Sequence, residues 1–248
     1  MATAWTVNAE GEVWTVHPQG GGQLIAPKES ALQVALGFDG IPWIVSTKRS
    51  NGPGNLIQYY YGASGWQTLP PTIGAVQIAG STNNFCWFVD ENNAIWSVDI
   101  HARAFRMSPD GFALSVGVGN FGPAWAISTK SYEGGGGNII LWYNQANGQW
   151  VPVPPPAAAT QIAGQYDQTA WVVNVDNAIY NVHQNGSSKL VSPNGTALQV
   201  GIGPDKMPWM ISTQSNNSPG GSVIMYYANE TWNAVPAPAA ATWVAGSM

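Results

Sequence analysis

A phrase of 17 residues occurs three times in this chain with small changes. It reads ALQVALGFDGIPWIVST from Ala31, ALSVGVGNFGPAWAIST from Ala113 and ALQVGIGPDKMPWMIST from Ala197, so the copies begin 82 and 84 residues apart. A repeat of this length is typical of proteins that stack or circularise one supersecondary unit. The chain is therefore expected to be built from three long, related segments.

A second phrase alternates with the first and shows that the repeat is circular. Its copies are AVQIAG from Ala75, ATQIAG from Ala159 and ATWVAG from Ala241. In the first two copies a Trp follows the final Gly by seven residues. The third copy ends at Gly246, and counting on through the C-terminus to the N-terminus reaches Trp5 after the same seven steps. The chain is thus cut inside one unit of a closed ring.

These repeats predict an all-β fold, a six-bladed β-propeller with pseudo-threefold double repeats. The 248 residues make three double units of about 83 residues, or six of about 41, a length typical of four-stranded blades. Pairing of the N- and C-terminal segments in one blade would close the ring and leave no bare sheet edge. We expect a single domain over residues 1–248. An open β-solenoid is the alternative, but it would need distinct caps at its two ends.

The internal turns also predict individual strands. The 29 Gly and 18 Pro residues suit many short strands better than long helices. In the first complete unit the strands are expected near residues 32–37, 43–47, 56–60 and 65–69. Nine Trp residues obey the internal symmetry and are expected to pack between blades. They form three columns: Trp43, Trp125 and Trp209; Trp5, Trp87 and Trp171; and Trp66, Trp150 and Trp232.

Composition limits the function. A net charge of −5 and a pI near 4.9 argue against a nucleic-acid partner, which would require clustered Lys and Arg. The apolar runs are shorter than the roughly 18 residues of a membrane-spanning helix, so an integral membrane protein is not expected. Cys86 has no partner for an internal disulfide, and the N-terminus shows no secretion signal. We expect a cytoplasmic protein, with non-classical release left open.

The units resemble tectonin repeats over essentially the whole chain. The residues that carry the resemblance are GWQTLPPTIGAVQIAG followed by CWFV, QWVPVPPPAAATQIAG followed by AWVV, and TWNAVPAPAAATWVAG followed by AWTV. Two departures are the unequal lengths of alternate units and the DG turn kept only at Asp39-Gly40. The resemblance implies a propeller lectin that binds cell-surface glycans, including O-methylated sugars or lipopolysaccharide, in defence or recognition.

Every second unit has an enlarged loop between its second and third strands. The loops are KRSNGPGN from Lys48, KSYEGGGGN from Lys130 and QSNNSPGGS from Gln214, and they are expected on the face that carries the turns between blades. Their amides and hydroxyls can bind sugar hydroxyls while an aromatic ring covers the sugar face. The predicted carbohydrate-binding trios are Lys48, Asn55 and Tyr59; Lys130, Asn138 and Trp142; and Gln214, Ser222 and Tyr226. The loops could also be plain long hairpins, with sites on the short-turn blades near Asn93 and Asn177.

No catalytic or metal-binding pattern is visible. A glycosidase would need a pair of carboxylates, whereas acidic residues such as Asp90 and Asp176 fall in tight turns, where they accept backbone hydrogen bonds. His17 and His183 hold matching positions, which lie far apart around a ring. We therefore expect neither an enzyme, a cofactor nor a metal site.

Two functions are consistent with these patterns. The first is a multivalent lectin, because linked weak sites raise apparent affinity by roughly 100-fold to 10,000-fold on a glycan-coated surface. The second is a non-catalytic protein-interaction scaffold, for which three similar copies of one surface give no advantage with an asymmetric partner. The oligomeric state is left open.

Overall fold

A computed structural model describes residues 3–119, 123–155, 158–165, 167–216, 221–236 and 239–247. The strands of this part are numbered β1 to β27 along the chain and form six antiparallel sheets, the blades of a β-propeller. A single turn of 3₁₀-helix, Gly62–Ser64, is the only helical element among these residues. The predicted six-bladed, all-β fold is confirmed.

The odd-numbered blades have short turns and four strands each. From the innermost strand outward they are β27 (Trp243–Ser247), β1 (Ala4–Val7), β2 (Val13–Val16) and β3 (Gly22–Ala26) in blade 1; β9 (Gln77–Gly80), β10 (Phe85–Val89), β11 (Ile95–Asp99) and β12 (Ala104–Arg106) in blade 3; and β18 (Gln161–Gly164), β19 (Thr169–Val173), β20 (Ile179–His183) and β21 (Ser188–Ser192) in blade 5.

The even-numbered blades carry the enlarged loops. Their strands, again from the innermost outward, are β4 (Ala31–Leu36), β5 (Pro42–Arg49), β6 (Asn55–Tyr60) and β7 (Trp66–Thr68) in blade 2; β13 (Ala113–Val118), β14 (Ala124–Ser131), β15 (Asn138–Asn144) and β16 (Gln149–Pro152) in blade 4; and β22 (Ala197–Ile202), β23 (Pro208–Ser215), β24 (Ser222–Ala228) and β25 (Thr231–Ala234) in blade 6. The strands of blade 2 agree with the predicted ones to within two residues.

Each even-numbered blade also has a two-residue strand that the sequence did not predict. It continues the outer edge of the sheet by pairing with the third strand near the start of that strand. These strands are β8 (Gly74–Ala75), β17 (Ala158–Ala159) and β26 (Ala240–Ala241).

The ring closes in blade 1, where the two ends of the chain meet. Strand β27 pairs antiparallel with β1, with Val7 opposite Trp243 and Thr6 opposite Val244. The C-terminal segment thus supplies the innermost strand, and the N-terminal segment supplies the three strands outside it. This confirms that the repeat is circular and excludes the open solenoid. Met248, the last residue of the repeat, lies outside the described residues.

The Trp columns pack between blades, as their symmetry predicts. Trp43, Trp125 and Trp209 are 0% exposed. Trp43, for example, shares a core cluster with Ile78 and Phe88 of the next blade. The other two columns meet edge to face, with interplanar angles of 89°, 83° and 89° in the three copies. The wedge between blades is therefore filled by large flat side chains, which favour this T-shaped geometry.

Glutamine side chains join neighbouring inner strands, which have no backbone pairing with each other. The Gln77 amide donates to the Val116 carbonyl at 3.0 Å and accepts from the Val116 N–H at 2.7 Å. Gln199 makes the same two bonds to Val244, both at 2.9 Å. Each amide therefore satisfies a backbone donor and acceptor that would otherwise face the central channel.

Glycines let the inner strands approach closely at one end of the channel. A Cβ on Gly80 would collide with the backbone of Leu36 and Gly37, and one on Gly246 would collide with Gly203. Since no side chain fits there, the repeated Gly of the AVQIAG phrase is required by backbone contact. The channel is consequently narrow and lined by backbone and the Gln side chains.

Candidate functional site

The enlarged loops lie against the turns that lead to the next blade. In blade 2 the N–H groups of Asn51 and Gly52 donate to the Pro71 carbonyl, at 2.6 and 3.2 Å. In blade 4 the loop closes on itself through the Tyr132 N–H, which donates to the Gly137 carbonyl at 3.0 Å. The loops and the turns between blades share one face, as predicted. Residues 217–220 of the third loop lie outside the described residues.

The polar members of the predicted trios occupy the bases of these loops. Lys48, Lys130 and Gln214 are exposed near the ends of β5, β14 and β23. The equivalent positions on the other side of each loop are Asn55, Asn138 and Ser222. Asn55 is buried, and its amide donates to the Ser46 carbonyl at 2.8 Å. Its side chain therefore stabilises the loop base and is not free to orient a ligand from the surface.

The aromatic members lie at the other end of the same hairpins. Tyr59, Trp142 and Tyr226 are the cross-strand partners of the fully buried Trp43, Trp125 and Trp209. The Tyr59 and Trp43 ring centroids are 5.2 Å apart, and the Tyr59 hydroxyl donates to the Ile100 carbonyl at 3.3 Å. These rings belong to the packing between blades.

Each predicted trio is thus spread along its hairpin. Lys48 lies five residues of β5 beyond Trp43, the partner of Tyr59, which corresponds to about 17 Å at the usual rise of a strand. A single pyranose does not span that distance. The structure therefore does not gather each trio at one point, because strand pairing places the aromatic ring and the loop at opposite ends; whether any of these residues binds sugar stays a prediction.

A cleft beside the first enlarged loop brings together residues that the trios left out. It lies between blades 2 and 3, has a volume of about 80 Å³, and is mainly apolar. Its walls come from the loop, the turn between the blades, and the three outer strands of blade 3 with the turn that follows β10. The lining residues are Pro53, Thr72, Ile73, Gly74, Phe88, Asp90, Trp96 and Ala104.

Asp90 is the buried polar group of this cleft. Its Oδ1 accepts from the N–H groups of Asn92 and Ala94, both at 2.9 Å, which confirms its predicted role in capping a turn. Its Oδ2 accepts from the Trp96 indole N–H at 3.0 Å. A carboxylate oxygen can accept more than one hydrogen bond, so Oδ2 of this lining residue keeps acceptor capacity beyond its bond to Trp96.

The Trp96 ring is held on its own blade. It lies parallel to the Phe88 ring, at an interplanar angle of 8° with centroids 6.5 Å apart. The Arg106 guanidinium lies 5.6 Å from the Trp96 ring centroid, within the range of cation–π attraction. The Trp96 wall of the cleft is therefore already ordered before a ligand binds.

An ion pair fastens the enlarged loop to the turn that holds Asp90. Arg49, at the base of the loop, pairs with Glu91 through both carboxylate oxygens. The Glu91 N–H donates to the Pro53 carbonyl at 3.3 Å. The hydrogen bond from Arg49 lowers the pKa of the Glu91 carboxyl below its ordinary value. The loop and the turn thus form one wall of the cleft.

The other two junctions carry related residues. Between blades 4 and 5 the Val175 N–H donates to the Gly136 carbonyl at 3.1 Å, and Asn174 Oδ1 accepts from two turn amides as Asp90 does. In blade 1, Asn8 Oδ1 accepts in the same way from its own turn. An aromatic residue follows each acceptor by six positions, namely Trp14, Trp96 and Tyr180.

The six-residue spacing between the turn acceptor and the aromatic residue can be recognised in the sequence alone. The segments NAEGEVW, DENNAIW and NVDNAIY each begin with the turn acceptor and end with the aromatic residue. The predicted trios do not include these residues, because each trio combines a loop only with strands of its own blade. The junctions instead combine a loop of one blade with a turn of the next.

Other chemistries have no assembled site in the part of the chain that the structure describes. No group of three His, Cys, Asp or Glu side chains there could hold a metal ion. The Cys86 thiol is buried, and burial raises its pKa. No helix among these residues is long and apolar enough to cross a membrane.

Comparison with known proteins supports the propeller fold but does not assign the chain to a family. No family model matches the sequence, and no curated protein matches it. Solved propeller structures do match. YCF48 bound to D1 peptide is 12% identical with a TM-score of 0.53, over 98% of this chain and 76% of that one. The extracellular domain of BT4673 from B. thetaiotaomicron is 10% identical with a TM-score of 0.49, over 93% of this chain; this chain spans about a third of that one (32%).

Proposed function

We propose that this protein is a non-catalytic, multivalent lectin of the tectonin type, with one carbohydrate site at each junction between an even-numbered blade and the next blade. The observation that supports the proposal is the cleft between blades 2 and 3. It combines an apolar wall with a buried, preorganised carboxylate next to an indole ring. This pairing of apolar surface with a few placed polar groups is typical of ligand sites.

The proposed contacts follow from the groups present. The apolar face or edge of a pyranose packs on the wall formed by Trp96 and Pro53, and one hydroxyl donates to Asp90 Oδ2. The volume of about 80 Å³ is well below the roughly 300 Å³ of pockets that enclose a drug-sized ligand. Only one edge of a sugar ring can enter. Each site is therefore weak alone, and useful affinity comes from several sites on one glycan surface.

The three sites are expected to differ in strength. The junction of blades 2 and 3 has the charged acceptor Asp90, whereas the equivalent positions are Asn174 and Asn8. Hydrogen bonds to ionised acceptors are roughly twice as strong as those between neutral groups. The site at Asp90 is therefore the tightest.

The experiment is a broad glycan array together with haemagglutination, followed by calorimetric titration with the best monovalent sugar. Trp96→Leu should remove the tightest of about three sites. Phe105→Leu is the matched control, because Phe105 is exposed on the neighbouring strand and does not line the cleft. An array without binding, including methylated sugars and lipopolysaccharide, would contradict the proposal.

The alternative is a protein-interaction scaffold. YCF48, a propeller structure similar to this chain, is bound to D1 peptide. For this chain, a silent glycan array combined with capture of a defined protein or peptide on the loop face would favour the scaffold. Binding of that partner should then be lost in the Trp96→Leu variant if the same cleft is used.

A further inference from the structure

Three leucines are turned outward at the centre of the face that carries the enlarged loops. Each is the extra residue of a β-bulge in an innermost strand: the residues on either side of it pair with consecutive residues of the second strand. Bulges re-aim side chains. The residues are Leu32, Leu114 and Leu198, and they are 50%, 47% and 47% exposed.

These leucines belong to a ring of six residues around the mouth of the channel. The matching positions in the other three blades are Val76, Thr160 and Thr242, all exposed. Neighbouring positions are close, because the Gln33 amide reaches from beside Leu32 to the Val76 carbonyl, at 3.0 Å. We name these six residues the crown.

The crown is exposed and mainly apolar in the part of the chain that the structure describes. Its four aliphatic side chains present on the order of 300 Å², the size of the largest patches on typical monomers, which often mark interaction sites. A stable homodimer needs about 800 Å² from each partner. The crown can supply the apolar centre of such an interface, and the surrounding loops can supply the polar rim that interfaces have.

The side chains around the crown carry charges of both signs, so this surface is electrostatically complementary to a second copy of itself. Lys48 and Lys130 lie at the loop bases and form no ion pair among the described residues. The same holds for the carboxylates of Glu29, Glu133 and Asp176 on this face. In an isologous interface each patch meets its own copy, so the lysines of one chain can face the carboxylates of the other.

We propose that the chain forms a face-to-face homodimer through the crown. The leucines of the two copies pack against each other at the centre, and the loops that follow β5 and β14 in both copies lie around them. The Trp96 wall of the cleft between blades 2 and 3 lies two strands farther out, at the rim of this interface. The inference does not rest on carbohydrate binding, and its test measures association alone.

The test is sedimentation velocity over a wide range of protein concentration. The wild-type chain should show a reversible monomer–dimer equilibrium. Leu114→Asp should raise the dissociation constant more than about 100-fold, because the two-fold axis places the carboxylate in the interface twice without a partner. Leu198→Asp should act in the same way, and a thermal melt of each variant checks that the fold is intact.

Matched controls are Leu24→Asp and Leu190→Asp. Both leucines are about as exposed as those of the crown, at 45% and 53%, but they lie on the outermost strands of blades 1 and 5. Their replacement should leave the dimer unchanged. A wild-type chain that stays monomeric at every concentration would overturn the proposal, and so would a dimer that survives both crown substitutions.

Discussion

The indole N–H of Trp243 donates to the Val34 carbonyl at 2.9 Å, and so joins the last strand of the chain to the first complete blade. Trp243 occupies the position that Gln77 has in its own phrase. It therefore replaces a Gln bridge with an indole bridge at the point where the ring closes. The bond links residues at opposite ends of the sequence, and it adds to the strand pairing of β27 with β1.

Replacement of this indole tests its contribution to closure. Trp243→Phe keeps an aromatic ring but removes the donor, leaving the Val34 carbonyl without this partner. We expect the free energy of unfolding to fall by about 1–2 kcal/mol, measured by urea denaturation. Phe105→Leu, an exposed substitution away from the closure, should change it by less than about 0.5 kcal/mol. Equal stability of the Trp243→Phe variant and the wild type would show that the bond is unimportant.

Removal of residues 241–248 tests ring closure itself. The deletion removes β27 and leaves β1 with an unpaired inner edge, so we expect aggregation or a large fall in melting temperature. A permutant that begins at Ala75, with the natural ends joined, divides only the two-residue strand β8 and keeps the pairing of β27 with β1, so it should fold. A soluble truncated chain that melts at the full-length temperature would contradict the role of the closing strand.

The Gln bridges should differ in strength according to burial. Gln77 is buried and makes two bonds to Val116, whereas Gln33 lies in a more exposed position and its second bond is longer, at 3.3 Å. Gln77→Ala leaves a buried donor and a buried acceptor unpaired and should cost about 2–4 kcal/mol. Gln33→Ala should cost less, since water can reach the freed groups. Thermal and urea unfolding of the two variants give the comparison; the reverse order would contradict it.

Tyr59 separates a packing role from a binding role. Tyr59→Ala removes a ring that packs on Trp43 and should lower stability by about 3 kcal/mol. Tyr59→Phe keeps the ring and should leave the fold unchanged, and neither variant should change the number of sugar sites in calorimetric titration below its melting temperature. If folded Tyr59→Ala loses one site of about three while Tyr59→Phe keeps it, the ring of Tyr59 binds sugar after all.

The ion pair between Arg49 and Glu91 predicts a local pH dependence. Because the hydrogen bond from Arg49 lowers the pKa of Glu91 in the folded chain, its stabilising contribution is complete above the ordinary value of 4.5. It is lost as the pH falls through the lower, folded value. Carboxyl carbon NMR of Glu91 should show this low pKa, and Arg49→Gln should raise it.

The matched control for that titration is Arg106→Gln. Arg106 pairs with Asp110 and does not contact Glu91, so its loss should leave the Glu91 titration unchanged. An Arg49→Gln variant in which Glu91 titrates as in the wild type would show that the ion pair does not form in solution.

The sequence by itself determined the closed ring and its six blades. The seven-residue step from Gly246 to Trp5 equals the internal steps, and only a circular arrangement explains it. The positions of strands in blade 2 and the packing of the Trp columns also followed from the repeats. These features depend on local alternation and turn residues, which repeat units specify by themselves.

Only the tertiary structure decided which residues meet between blades. Tyr59 and Lys48 are close in sequence, yet strand pairing places them at opposite ends of one hairpin. Pro53 and Trp96 are 43 positions apart, yet they line one cleft because the loop of blade 2 extends over the turn of blade 3. The repeat pattern describes a blade, whereas the candidate sites lie between blades, where the relative position of two sheets sets the contacts.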